Sequence, residues 1–172
     1  SIGNDAFRSC TSLTSVIIPS SVTSIGWHAF DSCSSLASVI IPNSVVNIEV
    51  YTFYGCSSLS SVTIPNSVAK IGECAFARCP RLTSVAIPNS VSSIGNEVFS
   101  GCPSLTSISV APDNAYFDSR DNCNAIIRTS DNALIVGCQS TSIPGSVATI
   151  GDAAFLECSS LTSVVIPNSV TS

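Results

Sequence analysis

The residues of this chain that are best suited to metal binding or catalysis are nine cysteines and a single histidine. Six cysteines recur at a regular spacing: Cys10, Cys33, Cys56, Cys79, Cys102 and Cys158. No C-x-x-C pair occurs, and zinc sites need Cys and His close together, so we predict no metal site and no cofactor. A regular column of thiols is instead typical of a buried position, where cysteine packs like a small apolar side chain.

Cys74 lies outside that column. Its repeat position is otherwise held by unrelated residues: Asp5, His28, Tyr51, Glu97 and Ala153. Such variability predicts exposure, and we interpret Cys74 as a surface thiol rather than a reactive one.

His28 lies near Asp31 and among many serines, so a hydrolytic site has to be considered. The chain has no G-x-S-x-G or comparable nucleophile motif, so we predict a surface histidine, no catalytic residue and no enzyme. Trp27 and His28 together are a more plausible contact with a partner, because aromatic side chains often anchor interfaces.

The element that positions all these residues is an internal repeat with a period of 23. Ile, Phe, Cys and Leu recur at this step from Ile2, Phe7, Cys10 and Leu13, and the register returns at Ile150 after an interruption. One repeat reads I-G-x-x-A-F-x-x-C-x-x-L-x-x-V-x-I-P-x-S-V-x-x.

The segment from Leu13 to Pro19 predicts a short strand, with Val16 and Ile18 inward and Ser15 and Ile17 outward. Proline ends the strand, because it lacks the N–H that would continue the ladder. A single coil cannot bury its apolar side, so neighbouring coils must stack. We therefore predict an α/β-type repeat solenoid of about seven coils, with one parallel sheet on the concave side and an irregular or short-helical convex side.

On these residues the chain resembles the BspA-type leucine-rich repeats, a 23-residue class that includes a protein of Treponema pallidum. The resemblance covers nearly the whole chain and implies a secreted or cell-surface protein, with any signal and anchor outside this segment. It also implies adhesion to host extracellular or cell-surface proteins, and it assigns no catalytic residue.

Residues 1–172 are expected to form one leucine-rich-repeat domain. Ser1 and Ser172 both occupy the repeat position just before an Ile-Gly step, and neither end has the polar capping repeat that a solenoid needs. We interpret the chain as an excerpt from a longer array. No N-x-[ST] sequon appears, which favours a bacterial source.

An irregular segment at about residues 113–141 interrupts the array, because Pro88 and Pro144 are ten positions further apart than two repeats require. Apolar runs on either side of residues 129–132 predict a β-hairpin with Ile127 opposite Leu134. Cys123 would then face Cys138, and the two could form a disulfide. Either this segment is a stapled protrusion that contacts a partner through residues such as Arg120 and Asp121, or it is an elongated coil that accommodates an insertion.

The net charge of the chain limits the classes of partner that it can bind. Six basic against eleven acidic residues give a net charge of −5, which excludes the cationic surface that nucleic acids require, and no apolar run is long enough to span a membrane. We expect a protein partner on the outward sheet residues, which are small and uncharged. They are Ser38, Ile40, Ser61, Thr63, Ser84, Ala86, Ser163 and Val165. Two alternatives are an accessory region of a larger surface enzyme and a spacer without a ligand.

Overall fold

The computed structural model describes residues 1–171, which form a stack of coils whose strands are two to four residues long. The strands are β1 (Ser15–Ile17), β2 (Ser38–Ile40), β3 (Asn47–Ile48), β4 (Ser61–Thr63), β5 (Lys70–Ile71), β6 (Ser84–Ile87), β7 (Ser93–Ile94), β8 (Ser107–Val110), β9 (Phe117–Asp118), β10 (Ile126–Arg128), β11 (Ala133–Val136) and β12 (Thr149–Ile150).

Parallel pairing follows the 23-residue period on two sides of the coil. On the first side β1, β2 and β4 form one sheet and β6 and β8 form another, with the Thr83 N–H donating to the Ser60 carbonyl between them. On the second side β3, β5 and β7 pair in parallel through the Ile-Gly step. The expectation of a single parallel sheet is therefore wrong: the chain is a leucine-rich-repeat β-solenoid with several short parallel sheets.

The expected short helices are also nearly absent. Within residues 1–171 the helical structure is one 3-10 turn at Arg120–Asn122. The return path uses turns with two left-handed residues per regular coil. The first group is Asp5, His28, Tyr51, Cys74, Glu97 and Ala153; the second is Ser9, Ser32, Gly55, Arg78, Gly101 and Glu157. A left-handed residue interrupts the α-helical geometry, so these turns cannot extend into helices.

The core contains a column of stacked phenylalanines. From Phe7 to Phe99 neighbouring rings lie 5.2–5.7 Å apart and are nearly parallel. Phe30, Phe53 and Phe76 are fully buried. Because each ring contacts the equivalent ring of the next coil, the stacking of coils removes the largest apolar surface of the repeat from water.

A second column consists of cysteine thiols that donate hydrogen bonds between coils. The acceptor of each thiol is the carbonyl of the phenylalanine 26 residues earlier: Cys33 to Phe7, Cys56 to Phe30, Cys79 to Phe53 and Cys102 to Phe76, at 3.1–3.3 Å. Burial raises the pKa of both Cys56 and Cys102 to about 12, so these groups stay protonated as donors. The cysteines therefore satisfy backbone carbonyls in addition to filling space.

Asn114 anchors the irregular segment to the regular coil before it. It occupies the buried position that valine holds in earlier repeats, and its amide donates to the carbonyls of Pro88 and Val91 at 2.8 and 2.9 Å. Its side-chain oxygen accepts from the N–H groups of Tyr116 and Phe117. All the strong bonding capacity of this buried amide is used where the chain leaves the regular path.

The strands that follow form a four-stranded sheet in the order β12-β11-β10-β9. β10 pairs antiparallel with β11, with Ile127 opposite Leu134, and β11 pairs in parallel with β12 of the next coil. The pair is therefore built into the array instead of projecting from it. Cys123 and Cys138, the two cysteines of the predicted disulfide, are both buried free thiols in this structure. Cys138 donates to the carbonyl of Asn124 at 3.3 Å.

Beyond this sheet the regular path resumes directly against an earlier coil. The Ser100 hydroxyl donates to the Leu156 carbonyl at 3.2 Å, and Arg78 forms an ion pair with Glu157 at 3.1 Å. Between these coils Gly137 replaces the repeated phenylalanine, and the ring of Phe155 occupies the space that a side chain at Gly137 would fill. The phenylalanine column thus gives way to a glycine at the break in the array.

Candidate protein-binding face

The outward residues of the first side form a continuous solvent-facing surface, which we call the strand face. Its members are the exposed side chains of β1, β2, β4, β6 and β8. Equivalent positions align between neighbouring strands, so Ser15, Ser38 and Ser61 form one row and Ile17, Ile40 and Thr63 form another. In the neighbouring sheet, Ser84 and Ala86 of β6 are aligned with Ser107 and Ser109 of β8. The strand-face residues named in the sequence analysis on these strands are therefore exposed and adjacent.

Two isoleucines dominate this face. Ile17 is 93% exposed and Ile40 is 79% exposed, and they are direct neighbours in the register of β1 and β2. No charged residue lies on β1, β2, β4, β6 or β8. Contiguous exposed apolar side chains on an uncharged surface are typical of a protein interface.

Ser163 and Val165 are exposed, and Val165 is 83% exposed, but the structure assigns no strand to residues 161–166. The prediction that they belong to the paired sheet is wrong for this last repeat. Val164 and Ile166 are also partly exposed there, because no coil within the described residues packs against that side.

Trp27 and His28 lie at the turns of the second side, apart from the strand face. Trp27 is 56% exposed, and its backbone N–H donates to the side-chain oxygen of Asn4 at 3.0 Å. The His28 ring stacks on Tyr51 with centroids 4.8 Å apart, and its Nδ1 lies 2.9 Å from Asp31. His28 is therefore a partly exposed surface residue whose ring is held by two partners.

The hydrogen bonds around His28 do not activate a serine as a nucleophile. The Ser32 hydroxyl donates to Asp31 at 2.7 Å and not to the histidine, whereas a catalytic serine would need the histidine as its base. Arg8 also contacts the buried Asp31 carboxylate, at 3.1 Å. This group of side chains neutralises and solvates a buried carboxylate.

Arg120 and Asp121, the candidate contact residues of the irregular segment, differ in how accessible they are to a partner. Arg120 binds both carboxylate oxygens of Asp118, at 2.6–3.1 Å, and also reaches Asn132 and Ser146. Burial opposes ionisation of Asp118, but the hydrogen bonds and charge of Arg120 outweigh it and hold the pKa of Asp118 below its ordinary value. Arg120 therefore acts as an internal clamp, whereas Asp121 is exposed and adopts a left-handed backbone with φ 58°.

Cys74 is buried, contrary to the expectation of a surface thiol. The reason is the stacking of its repeat position, since the flanking coils place Tyr51 and Glu97 against it, with Glu97 Oε2 3.8 Å from the sulfur. Burial raises the pKa of Cys74, and its hydrogen bond raises the pKa of Tyr51 to about 12. Variability at one repeat position did not imply exposure, because each variable side chain is covered by its neighbours.

Two further properties bear on the class of site. Across residues 1–171 no group of three or more His, Cys, Asp or Glu side chains is placed to hold a metal ion. In that same described part of the chain, no helix is long and apolar enough to cross a membrane.

The family model for the BspA type leucine rich repeat region matches residues 1–126 and 134–172, in six copies. No curated protein matches the chain significantly.

Three solved structures are similar along almost the whole chain. A leucine rich cell surface protein from Faecalibacterium prausnitzii is 32% identical with a TM-score of 0.76, over 98% of this chain and 53% of that one. A leucine-rich repeat protein from Bacteroides ovatus is 31% identical with a TM-score of 0.68, over 98% and 42%. The leucine rich repeat protein of T. pallidum is 30% identical with a TM-score of 0.66, over 97% and 63%. The chain thus spans roughly half the length of these proteins.

Proposed function

Because this chain belongs to the BspA-type leucine-rich-repeat family, we propose that it is a secreted or cell-surface scaffold that binds another protein through the strand face. In this proposal it is part of a solenoid of about seven coils and serves adhesion to host extracellular proteins or to other cells. The description of the F. prausnitzii protein as a cell surface protein supports this location.

The observation that carries the proposal is the pair Ile17 and Ile40. Both are large apolar side chains, almost fully exposed, and they lie side by side on neighbouring strands. Their burial by a partner would remove a substantial apolar area from water, and the serine rows beside them offer hydroxyl groups for hydrogen bonds. The role is binding and not catalysis.

A direct test presents the immobilised protein with a panel of extracellular-matrix proteins and with intact cells. For a partner found in this way, Ile40→Asp should weaken binding by roughly tenfold or more, because the interface would then have to bury a carboxylate. Val46→Asp is the matched control, since Val46 is also exposed but lies outside the strand face. Equal binding by both variants would contradict the proposal.

The charge of the strand face gives a second criterion. Since that face carries no ionised side chain, affinity should change little when salt is raised from about 0.05 to 0.5 M. A steep loss of affinity over this range would show that the charged residues of the second side or of the irregular segment form the contact instead.

A further inference from the structure

Cys158 differs from the four buried cysteines of its column. Cys33, Cys56, Cys79 and Cys102 each donate to a phenylalanine carbonyl in the coil before. For Cys158, no side-chain hydrogen bond is found within residues 1–171, although a coil precedes it. That coil has Gly137 in place of the repeated phenylalanine. The thiol of Cys158 is therefore partly exposed and lacks the partner that holds its equivalents.

Cys138 and Cys158 line the same small cavity at the break in the array. The two segments are tied together next to it, since the Gly137 N–H donates to the Ala154 carbonyl at 2.8 Å. Stacked strands lie about 4.8 Å apart, and a disulfide bridges Cα separations of roughly 4.4–6.8 Å, so cysteines that face each other from adjacent coils are within reach of a disulfide.

We infer that Cys138 and Cys158 form a redox-controlled pair, which a small-molecule disulfide oxidises to an intramolecular disulfide that staples the final coil to the irregular segment. This pairing differs from the one between Cys123 and Cys138 suggested by the sequence. It is independent of any partner on the strand face.

Two observations distinguish Cys138 from the other candidate partners of Cys158. Cys102 also lines the cavity, but its oxidation would remove the donor to the Phe76 carbonyl. The Asn124 carbonyl, by contrast, keeps the Thr141 hydroxyl at 2.7 Å when the Cys138 thiol is lost. Exchange at Cys138 thus leaves no buried acceptor without a partner.

Cys123 differs from Cys138 in its packing. Cys123 packs in the smaller core cluster with Ile127 and Leu134, whereas Cys138 packs in the main core. Its thiol contacts the carbonyl of Ala125 at 3.9 Å. The two cysteines therefore belong to different clusters of the core.

The reaction proceeds by two thiol–disulfide exchanges. The thiolate of Cys158 attacks one sulfur of the small disulfide, a mixed disulfide forms, and the first small thiol leaves with the proton. The thiolate of Cys138 then attacks the Cys158 sulfur and releases the second small thiol. Two protein thiols are oxidised and one small disulfide is reduced to two thiols. Burial and the adjacent Cys138 raise the pKa of Cys158, so the exchange should quicken as the pH increases.

Peptide mapping with trypsin can identify the bond. No Lys or Arg follows Arg128, so Cys138 and Cys158 both lie in the peptide 129–172, while Cys102 lies in 82–120 and Cys123 in 121–128. The protein is oxidised with glutathione disulfide at about pH 8.5 until its free thiols stop decreasing, then alkylated and digested without reduction. The expected product is a peptide 129–172 that is lighter by two hydrogen atoms and carries no alkyl group.

Three results would overturn the inference. They are a cross-link from 129–172 to another peptide, alkylation of both its cysteines, and a glutathione adduct that persists on Cys158. Oxidation should also raise the thermal midpoint by roughly 5–10 °C, because a 20-residue loop is closed in the unfolded chain. Cys158→Ser should abolish this increase. Cys10→Ser, which alters an exposed thiol at the other end of the column, should retain it.

Discussion

The thiol of Cys56 donates a hydrogen bond to the carbonyl oxygen of Phe30, 3.2 Å away and 26 residues earlier in the chain. The same relationship recurs at Cys33, Cys79 and Cys102. It connects two columns of the core, because each thiol binds the backbone of the residue whose ring stacks on the next coil. The cysteine position of the repeat is therefore a donor position as well as an apolar one.

Replacement of Cys56 by alanine should lower the free energy of unfolding by about 1–3 kcal/mol, since it leaves a small cavity and a buried carbonyl without its donor. Serine at this position keeps a donor and should be less damaging than alanine. Chemical denaturation of the three proteins measures the difference. Cys10→Ala is the control, because Cys10 is exposed and its change should be close to neutral. A loss at Cys56 no larger than that at Cys10 would contradict the prediction.

The raised pKa values of the buried thiols predict a loss of stability in alkaline solution. In the unfolded chain cysteine ionises near its ordinary pKa of 9.0, whereas burial raises the pKa of Cys56 and Cys102 to about 12 in the fold. The unfolded state therefore releases protons first, and the stabilisation present below pH 9 is lost as the pH rises towards 12.

Unfolding free energies measured from pH 8 to 11 should decline from about pH 9 upward. The decline should be shallower for Cys56→Ala than for the unaltered protein, because one proton-releasing group has been removed. Parallel declines in the two proteins would show that ionisation of Cys56 is not coupled to unfolding.

Much of the architecture was predictable from the sequence, because a repeat places equivalent residues on equivalent sites. The inward and outward assignments at Val39 and Ile40 follow directly from the alternation of a strand. The antiparallel pairing of Ile127 with Leu134 likewise follows from two apolar runs around a short polar loop.

The remaining errors concern contacts between coils, which a single repeat does not reveal. Cys74 was expected at the surface because its position varies, but Tyr51 and Glu97 cover it from the adjacent coils. The second parallel sheet was missed because the Ile-Gly step contributes only two residues per coil to the pairing. Equivalent two-residue segments become a ladder only when the coils stack.

Asn114 has a structural role that the repeat pattern could have revealed, because it is a polar residue at a position otherwise held by valine. Valine holds the equivalent position in the four preceding repeats, as Val22, Val45, Val68 and Val91. A polar side chain at a buried repeat position indicates either a local unfolding of the pattern or a set of internal hydrogen bonds. The structure shows the second, because all four of its contacts are with backbone groups.

Asn114→Val should therefore destabilise the protein, although it restores the residue of the other repeats. The substitution removes the donor to the Pro88 and Val91 carbonyls and the acceptor of the Tyr116 and Phe117 N–H groups, at a cost of about 2–4 kcal/mol. Denaturant titration measures the change, and Asn43→Ala serves as the control at an exposed asparagine.

A second substitution tests the mechanism of this loss. In regular coils the serine preceding the valine donates to a carbonyl of the coil before, as Ser90 does to Val68 at 2.7 Å. Asp113 occupies that serine position in the irregular coil. Adding Asp113→Ser to Asn114→Val should recover part of the stability by giving the Val91 carbonyl a new donor. A double variant no more stable than Asn114→Val would show that the Val91 carbonyl is not the deficient group.

Gly137 should not tolerate a side chain, because a methyl group there would overlap the ring of Phe155. Displacing this half-buried ring is expected to cost about 1–3 kcal/mol, so Gly137→Ala should lower the free energy of unfolding in denaturant titrations by that amount. Gly145→Ala is the matched control, since no atom lies within 4 Å of an added methyl at that residue. Combining Gly137→Ala with Phe155→Ala should destabilise by less than the sum of the single changes, because the smaller side chain removes the collision. Strict additivity would mean that Phe155 does not occupy the missing phenylalanine position, and that the column ends at Phe99 for another reason.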